Sequence, residues 1–331
     1  MNIRLIYRKT RPSGNFSIEN YFAGVAVAIR KLYPAIQIEE WRSPFFSNGL
    51  KKRLSAIRAL EETPSADVYH ITGDVHFLAW GCPREKTILT IHDCGFLHQK
   101  NKIKRFIYKY FWLTGPLKRI KYLTCVSEAT REEILRHSNF PKDRIEVIPT
   151  VVDERFVRYD KPFNATEPII LHIGTKYNKN LERLISALEG LSVHLQIIGK
   201  LTETQQQQLE ASGIRYSNFV NLEFEELRSR YNECDLVSFC STFEGFGMPI
   251  VEANRVGRAV LTSNLSSMPE VAGNAALLVN PNETAEIRNG IIRLIEDGAL
   301  REELIQNGYE NAGRFSVSKV ARQYAELYQK I

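Results

Sequence analysis

The chain has 331 residues, 44% of them hydrophobic, enough to bury two ordinary cores. Its 44 Lys and Arg stand against 38 Asp and Glu, a formal net charge of +6. No short-period repeat, low-complexity tract or long apolar run is present, which excludes repeat architectures and spanning helices.

The first residues, MNIRLIYRKTRPSG, run directly into a short strand, so no signal peptide is expected. The loop at residues 11–16 (RPSGNF) carries a single Gly14 beside Asn15. Residues 67–69 predict a strand ending at His70, which the pattern assigns to structure, and residues 87–91 (TILTI) predict another ending at His92 and Asp93. Carboxyl ends of strands are where open α/β sheets bind ligands. Residues 100–121 (KNKIKRFIYKYFWLTGPLKRIK) interleave basic residues with Phe106, Tyr108, Tyr110, Phe111 and Trp112. Such a helix suits anionic lipid, and it equally suits an ordinary amphipathic helix with a solvated basic face. Residues 50–54 (LKKRL) extend the basic patch. Residues 121–137 predict a strand and then a helix N-capped by Ser127.

In the second half, residues 168–173 predict a strand. A Gly-turn-Lys-Asn element (Gly174 to Asn180) leads from it into a helix with Leu181, Leu184, Ile185 and Leu188 on one face. Residues 235–240 (DLVSFC) predict a buried strand, and residues 249–256 a helix. Residues 314–331 predict an amphipathic helix with Val320, Tyr324 and Leu327 on one side. Alternating strands and helices in both halves argue for an α/β fold of parallel sheets covered by helices. Five cysteines (Cys82, Cys94, Cys125, Cys234, Cys240) form no C-x-x-C, which predicts buried thiols in a reducing compartment. Charge divides unevenly. Residues 1–150 hold 25 basic against 14 acidic side chains, and the rest hold 19 against 24.

The densest chemistry lies between Glu244 and Glu252, in the segment FEGFGMPIVE. Gly245 and Gly247 permit positive φ and close approach of main-chain N–H groups to a ligand. Pro249 suits the first helical position, and the free N–H groups of that helix favour an anion such as a diphosphate. Two ionised carboxylates there are acceptors for the hydroxyls of a sugar or ribose.

These residues resemble the E-x7-E motif of the retaining nucleotide-sugar glycosyltransferases of family 4. That family has the GT-B fold, two Rossmann-like parallel-sheet domains facing each other across a cleft. The resemblance covers nearly the whole chain. It implies an acceptor-side domain at residues 1–155, a nucleotide-sugar-binding domain at 156–313, and a last helix, 314–331, crossing back to the first domain. It assigns the donor sugar to Glu244, the ribose to Glu252 and the diphosphate to Lys179, with His92 facing the donor sugar. Gly174, Thr175, Lys176, Gly245, Phe246, Gly247 and Met248 complete the expected donor site, and Gly14 and Asn15 the acceptor side. Many relatives place an Arg near the first turn, where this chain has Thr175, Lys176, Tyr177 and Asn178. No Asp-x-Asp occurs, so neither a required metal nor another cofactor is expected; the nucleotide sugar is a substrate.

The implied reaction moves a sugar from a UDP- or GDP-sugar to a hydroxyl of a lipid-linked or oligosaccharide acceptor, in bacterial surface polysaccharide biosynthesis. The expected location is cytoplasmic and peripheral on the inner face of the membrane, with residues 100–121 touching anionic lipid and no nucleic-acid partner. Two other readings remain open at this point. One is a nucleotide-sugar epimerase on the same fold, and the other a non-enzymatic protein that binds membrane or nucleic acid through its basic half.

Overall fold

The computed structural model describes residues 1–10, 17–98 and 101–331. Its strands form two six-stranded sheets, and every pairing between them is parallel. The first sheet contains β1 (Asn2–Tyr7), β2 (Gln37–Arg42), β3 (Val68–Ile71), β4 (Thr87–Ile91), β5 (Tyr122–Cys125) and β6 (Ile145–Val147), in the order β2-β1-β3-β4-β5-β6. The second contains β7 (Ile169–Ile173), β8 (His194–Ile198), β9 (Arg215–Phe219), β10 (Leu236–Phe239), β11 (Ala259–Ser263) and β12 (Leu277–Val279), in the order β12-β11-β10-β7-β8-β9.

Central strands such as β4, β10 and β11 are buried along their whole length, which is why they read as unbroken apolar runs. Strand order reverses between β1 and β3 in the first sheet and between β7 and β10 in the second. Those reversals are the switch points at which doubly wound sheets open a crevice.

The chain divides into two units, Met1–Val151 with Val317–Ile331, and Val152–Ser316. The terminal helix Val317–Gln329 packs on the helix Ser17–Leu32, burying Val320, Tyr324 and Tyr328 with Phe22, Val25 and Ile29 beside β1. In the second unit Leu181, Leu184, Ile185 and Leu188 join Leu195, Ile197, Leu236 and Leu261 in one core. Ser127 caps its helix as its type predicts, accepting from the Thr130 amide. The five cysteines are buried free thiols.

Residues 101–121 do not form one helix. A helix at Lys102–Lys109 gives way to a wider π turn at Tyr110–Thr114 and a short helix at Gly115–Leu117. Pro116 cannot donate into a continuous ladder, and a Cβ at Gly115 would lie 2.7 Å from the Trp80 ring. The aromatics divide accordingly: Phe106 is exposed, whereas Phe111 and Trp112 are half-buried.

Candidate active site

The second switch point brings two turns together. One follows β7 and carries Gly174, Thr175, Asn178 and Lys179; the other follows β10 and carries Glu244 to Gly247. The amide of Thr242 donates to the Asn178 carbonyl at 2.8 Å, and the Asn178 side chain donates to the Phe243 carbonyl at 2.9 Å. Asn180, in left-handed conformation with φ 64, donates to the carbonyls of Cys240 and Pro281.

Across this joint the Lys179 ammonium meets Glu244 Oε1 at 2.6 Å, with side-chain exposures of 20% and 15%. Asn178 donates to the same oxygen at 3.2 Å, while Glu244 Oε2 takes no hydrogen bond from the described residues. The ammonium also lies 4.7 Å from the centre of the Phe239 ring. Gly174 has φ 94, and a Cβ there would approach the Lys179 stem to 2.8 Å. Only glycine lets that stem lie over the end of β7. Lys176 is exposed and forms no ion pair with the described residues, so the structure does not bring it to Glu244.

Of the two glycines in the second turn, Gly247 alone has positive φ, 116. It is the N-cap of the helix Met248–Val256, with Met248 first and Pro249 second. This corrects the expectation of Pro249 at the first position. Ser267 Oγ donates to the carbonyls of Glu244 and Phe246 at 3.0 and 2.6 Å, and Ser266 Oγ to Glu244 O at 2.7 Å. Phe246 is buried against Phe315.

Glu252 lies one turn into the helix and half-buried, where its carboxylate accepts from the Tyr231 hydroxyl. Burial pushes its carboxyl from 4.5 up to about 7; the Tyr231 hydrogen bond opposes this, Asp153 adds repulsion and Lys179 offsets part of it. A group poised there changes charge near neutrality. Tyr231 itself is buried, and its phenol is held well above 10 by burial and by Glu252. Asp153 is ion-paired with Arg155.

The first unit places His92 directly after β4. Its Nε2 lies 2.7 Å from the Thr72 carbonyl, so that nitrogen carries the proton and the neutral ring presents Nδ1 as an acceptor. Burial holds its pKa below 6.5, against the raising effects of the Thr72 carbonyl, Asp74, Asp93 and Glu19. Gly73, with φ 142, leaves room for the ring, since a Cβ there would come within 2.7 Å of it. His70 is buried in β3 between the Tyr328 hydroxyl and Thr90 Oγ1, a structural placement. Gly14 and Asn15 lie outside the described residues.

Tyr231, Asn178, Ser266, Ser267 and Asp153 were not legible as site residues in the sequence. A Ser-Ser pair before Met-Pro (residues 266–269) marks a second helix start that could have suggested the braces.

Two parallel sheets, with opposed glycine turns at a switch point, define the GT-B architecture, and solved structures agree. The structure of Anabaena Alr3699/HepE in complex with UDP and glucose matches 99% of this chain and 100% of its own, with TM-score 0.78 and 18% identity. That of WaaG, a glycosyltransferase involved in lipopolysaccharide biosynthesis, covers 99% of both chains with TM-score 0.73 and 13% identity. Residues 153–311 match the family described as glycosyl transferases group 1, and residues 11–156 match glycosyltransferase family 4. The chain belongs to glycosyltransferase family 4. O-antigen chain mannosyltransferase B of Escherichia coli is 29% identical, over 74% of this chain and 70% of that protein. A serotype-specific mannosyltransferase WbdA of Escherichia coli is 26% identical over 74% of this chain, which spans only 34% of that longer protein.

Proposed function

We propose that the protein is a retaining glycosyltransferase that moves a sugar from a UDP- or GDP-linked donor to a hydroxyl of a lipid-linked or oligosaccharide acceptor. The observation that carries this reading is the Lys179–Glu244 pair at the β7/β10 switch point, beside the amino end of the helix Met248–Val256. An ammonium and helix amides supply positive charge to a diphosphate, and Glu244 Oε2 is available to a sugar hydroxyl. Glu252, once ionised, accepts from the ribose hydroxyls.

In the reaction the bond from the anomeric carbon to the diphosphate oxygen breaks, and its electron pair leaves on the diphosphate. The acceptor oxygen bonds to the same carbon on the same face, and its proton passes to the departing phosphate oxygen. Lys179 stabilises the charge that develops there, an effect that is largest in a site shielded from water. Glu244 positions the sugar and is not the nucleophile. His92 offers Nδ1 as an acceptor to the donor sugar. This scheme needs no metal.

The named relatives make mannosyl donors and bacterial surface polysaccharide the first candidates for sugar and setting. A peripheral place on the cytoplasmic membrane face, through residues 100–121, belongs to the same reading.

The test is transfer followed by proton NMR in EDTA, with UDP- and GDP-sugars and oligosaccharide or lipid-linked acceptors. The expected product keeps the donor's anomeric configuration and appears in step with the nucleoside diphosphate. An inverted product would overturn the retaining mechanism, and loss of activity in EDTA the metal independence. Conversion of the donor sugar without acceptor would instead identify an epimerase.

A further inference from the structure

The helix Lys102–Lys109 buries none of its side chains. Ile103, Phe106 and Ile107, spaced i, i+3 and i+4 on one face, are 72%, 74% and 47% exposed. Lys102, Lys104, Arg105 and Lys109 flank them. Lys109, the last residue of this helix, also lines a cavity of 660 Å³ together with Arg84, Lys118, Arg136, His137 and Arg144. No acidic residue lines it among those described. Arg136 is paired with Glu132, and Arg84 lies 4.0 Å from Glu85. Lys109, Lys118 and Arg144 have no acidic partner among the described residues. The imidazole of His137 registers this field: its pKa is lowered by burial first and by Lys109 next.

The cavity lies at the opposite edge of the first sheet from His92. Arg84 precedes β4, Lys118 precedes β5 and Arg144 immediately precedes β6, whereas His92 follows β4. Crossing the five residues of β4 takes roughly 16 Å. The cavity is therefore separate from the carboxyl edge where His92 stands.

We propose that this cavity receives the phosphate headgroup of an anionic phospholipid while Ile103, Phe106 and Ile107 enter the acyl boundary. The proposal rests on the peripheral-membrane reading above. Lys109, Lys118 and Arg144 offer a phosphodiester positive charge that no acidic partner among the described residues neutralises, and the exposed apolar face of the same helix suits the acyl boundary of a bilayer. A soluble phosphate would use the cavity and leave that face unexplained.

The test is cosedimentation with vesicles of phosphatidylcholine alone or mixed with phosphatidylglycerol. The proteins compared are the wild type, Lys118→Ala with Arg144→Ala, Phe106→Ser, and the control pair Arg293→Ala with Arg322→Ala. All four substituted basic side chains are exposed, so folding is preserved. The wild type should partition onto phosphatidylglycerol vesicles and not onto phosphatidylcholine. Removing charge at the surface should weaken this by roughly fivefold per side chain, about 25-fold for the cavity pair. The control pair should change it less than twofold, and Phe106→Ser should weaken it as well.

If the wild type ignores phosphatidylglycerol, both the cavity proposal and the membrane reading are overturned. If it binds but the cavity pair behaves as the control pair does, the cavity alone is overturned. Displacement of the protein by millimolar inorganic phosphate or glycerol 3-phosphate would reassign the cavity to a soluble anion and overturn the lipid assignment.

Discussion

Removing the Lys179 ammonium separates what this residue does for stability from what it does for chemistry. In Lys179→Ala, the Glu244 carboxylate keeps only Asn178 as a partner among the described residues, and the ammonium over the Phe239 ring is lost. The pair is neither surface nor deeply buried at 20% and 15% exposure, so its loss falls between the two limits, at about 1–3 kcal/mol. The ring contact adds about 0.5–1 kcal/mol. For a unit of this size the sum lowers Tm by about 3–16 °C. Loss of an electrostatic stabiliser of the leaving group should reduce kcat/KM by about 10²–10³. Adding Glu244→Gln relieves the uncompensated carboxylate, so the double variant should be more stable than Lys179→Ala yet no more active. Thermal melts and initial rates of nucleoside diphosphate release measure both. A folded Lys179→Ala protein with kcat/KM within threefold of wild type would refute the reasoning.

Three further outcomes follow from the same geometry. The Glu252 carboxyl, raised from 4.5 to about 7, favours the protonated folded state. Stability from that group is therefore full below pH 4.5 and lost as pH rises through 7, by up to about 3 kcal/mol. Glu252→Gln should thus gain on the wild type as pH rises from 5 to 8 in denaturant titrations, and a constant difference would contradict the shift. Gly247→Ala forces a Cβ into backbone at φ 116 and to 3.2 Å from Ile250 Cδ1; it should cost about 1–3 kcal/mol in melts and weaken nucleotide binding measured by calorimetry. Ser267→Ala takes from the buried Phe246 carbonyl its side-chain donor, and should cost about 1–3 kcal/mol with a matching fall in activity.

Much of the fold was legible because parallel strands buried on both faces leave uninterrupted apolar runs. The runs that became β4, β7 and β10 could be read one at a time, and so could the glycines and acidic residues at their carboxyl ends. Contacts that depend on three-dimensional return of the chain could not. Tyr231 reaches Glu252 from another helix, and Ser267 braces carbonyls 21 and 23 residues away; nothing periodic marks either. Gly245 and Gly247 look alike in sequence, yet only Gly247 starts a helix from left-handed backbone. The π turn at Tyr110–Thr114 was hidden because aromatic residues run on through it from the basic helix before it, while Gly115 lies tight against the Trp80 ring.

The measurement that bears most directly on the donor-site claim is the thermal stability of the pure protein against UDP, GDP and their sugars in the absence of added metal. It is repeated with Lys179→Ala and Glu252→Ala. Ligand at a hundred times Kd stabilises the folded state by about 2.7 kcal/mol. A clear rise in Tm with one of the two nucleotides, reduced by both substitutions, is the expected result. No shift with any nucleotide at millimolar concentration, or a shift that both variants keep in full, would contradict it.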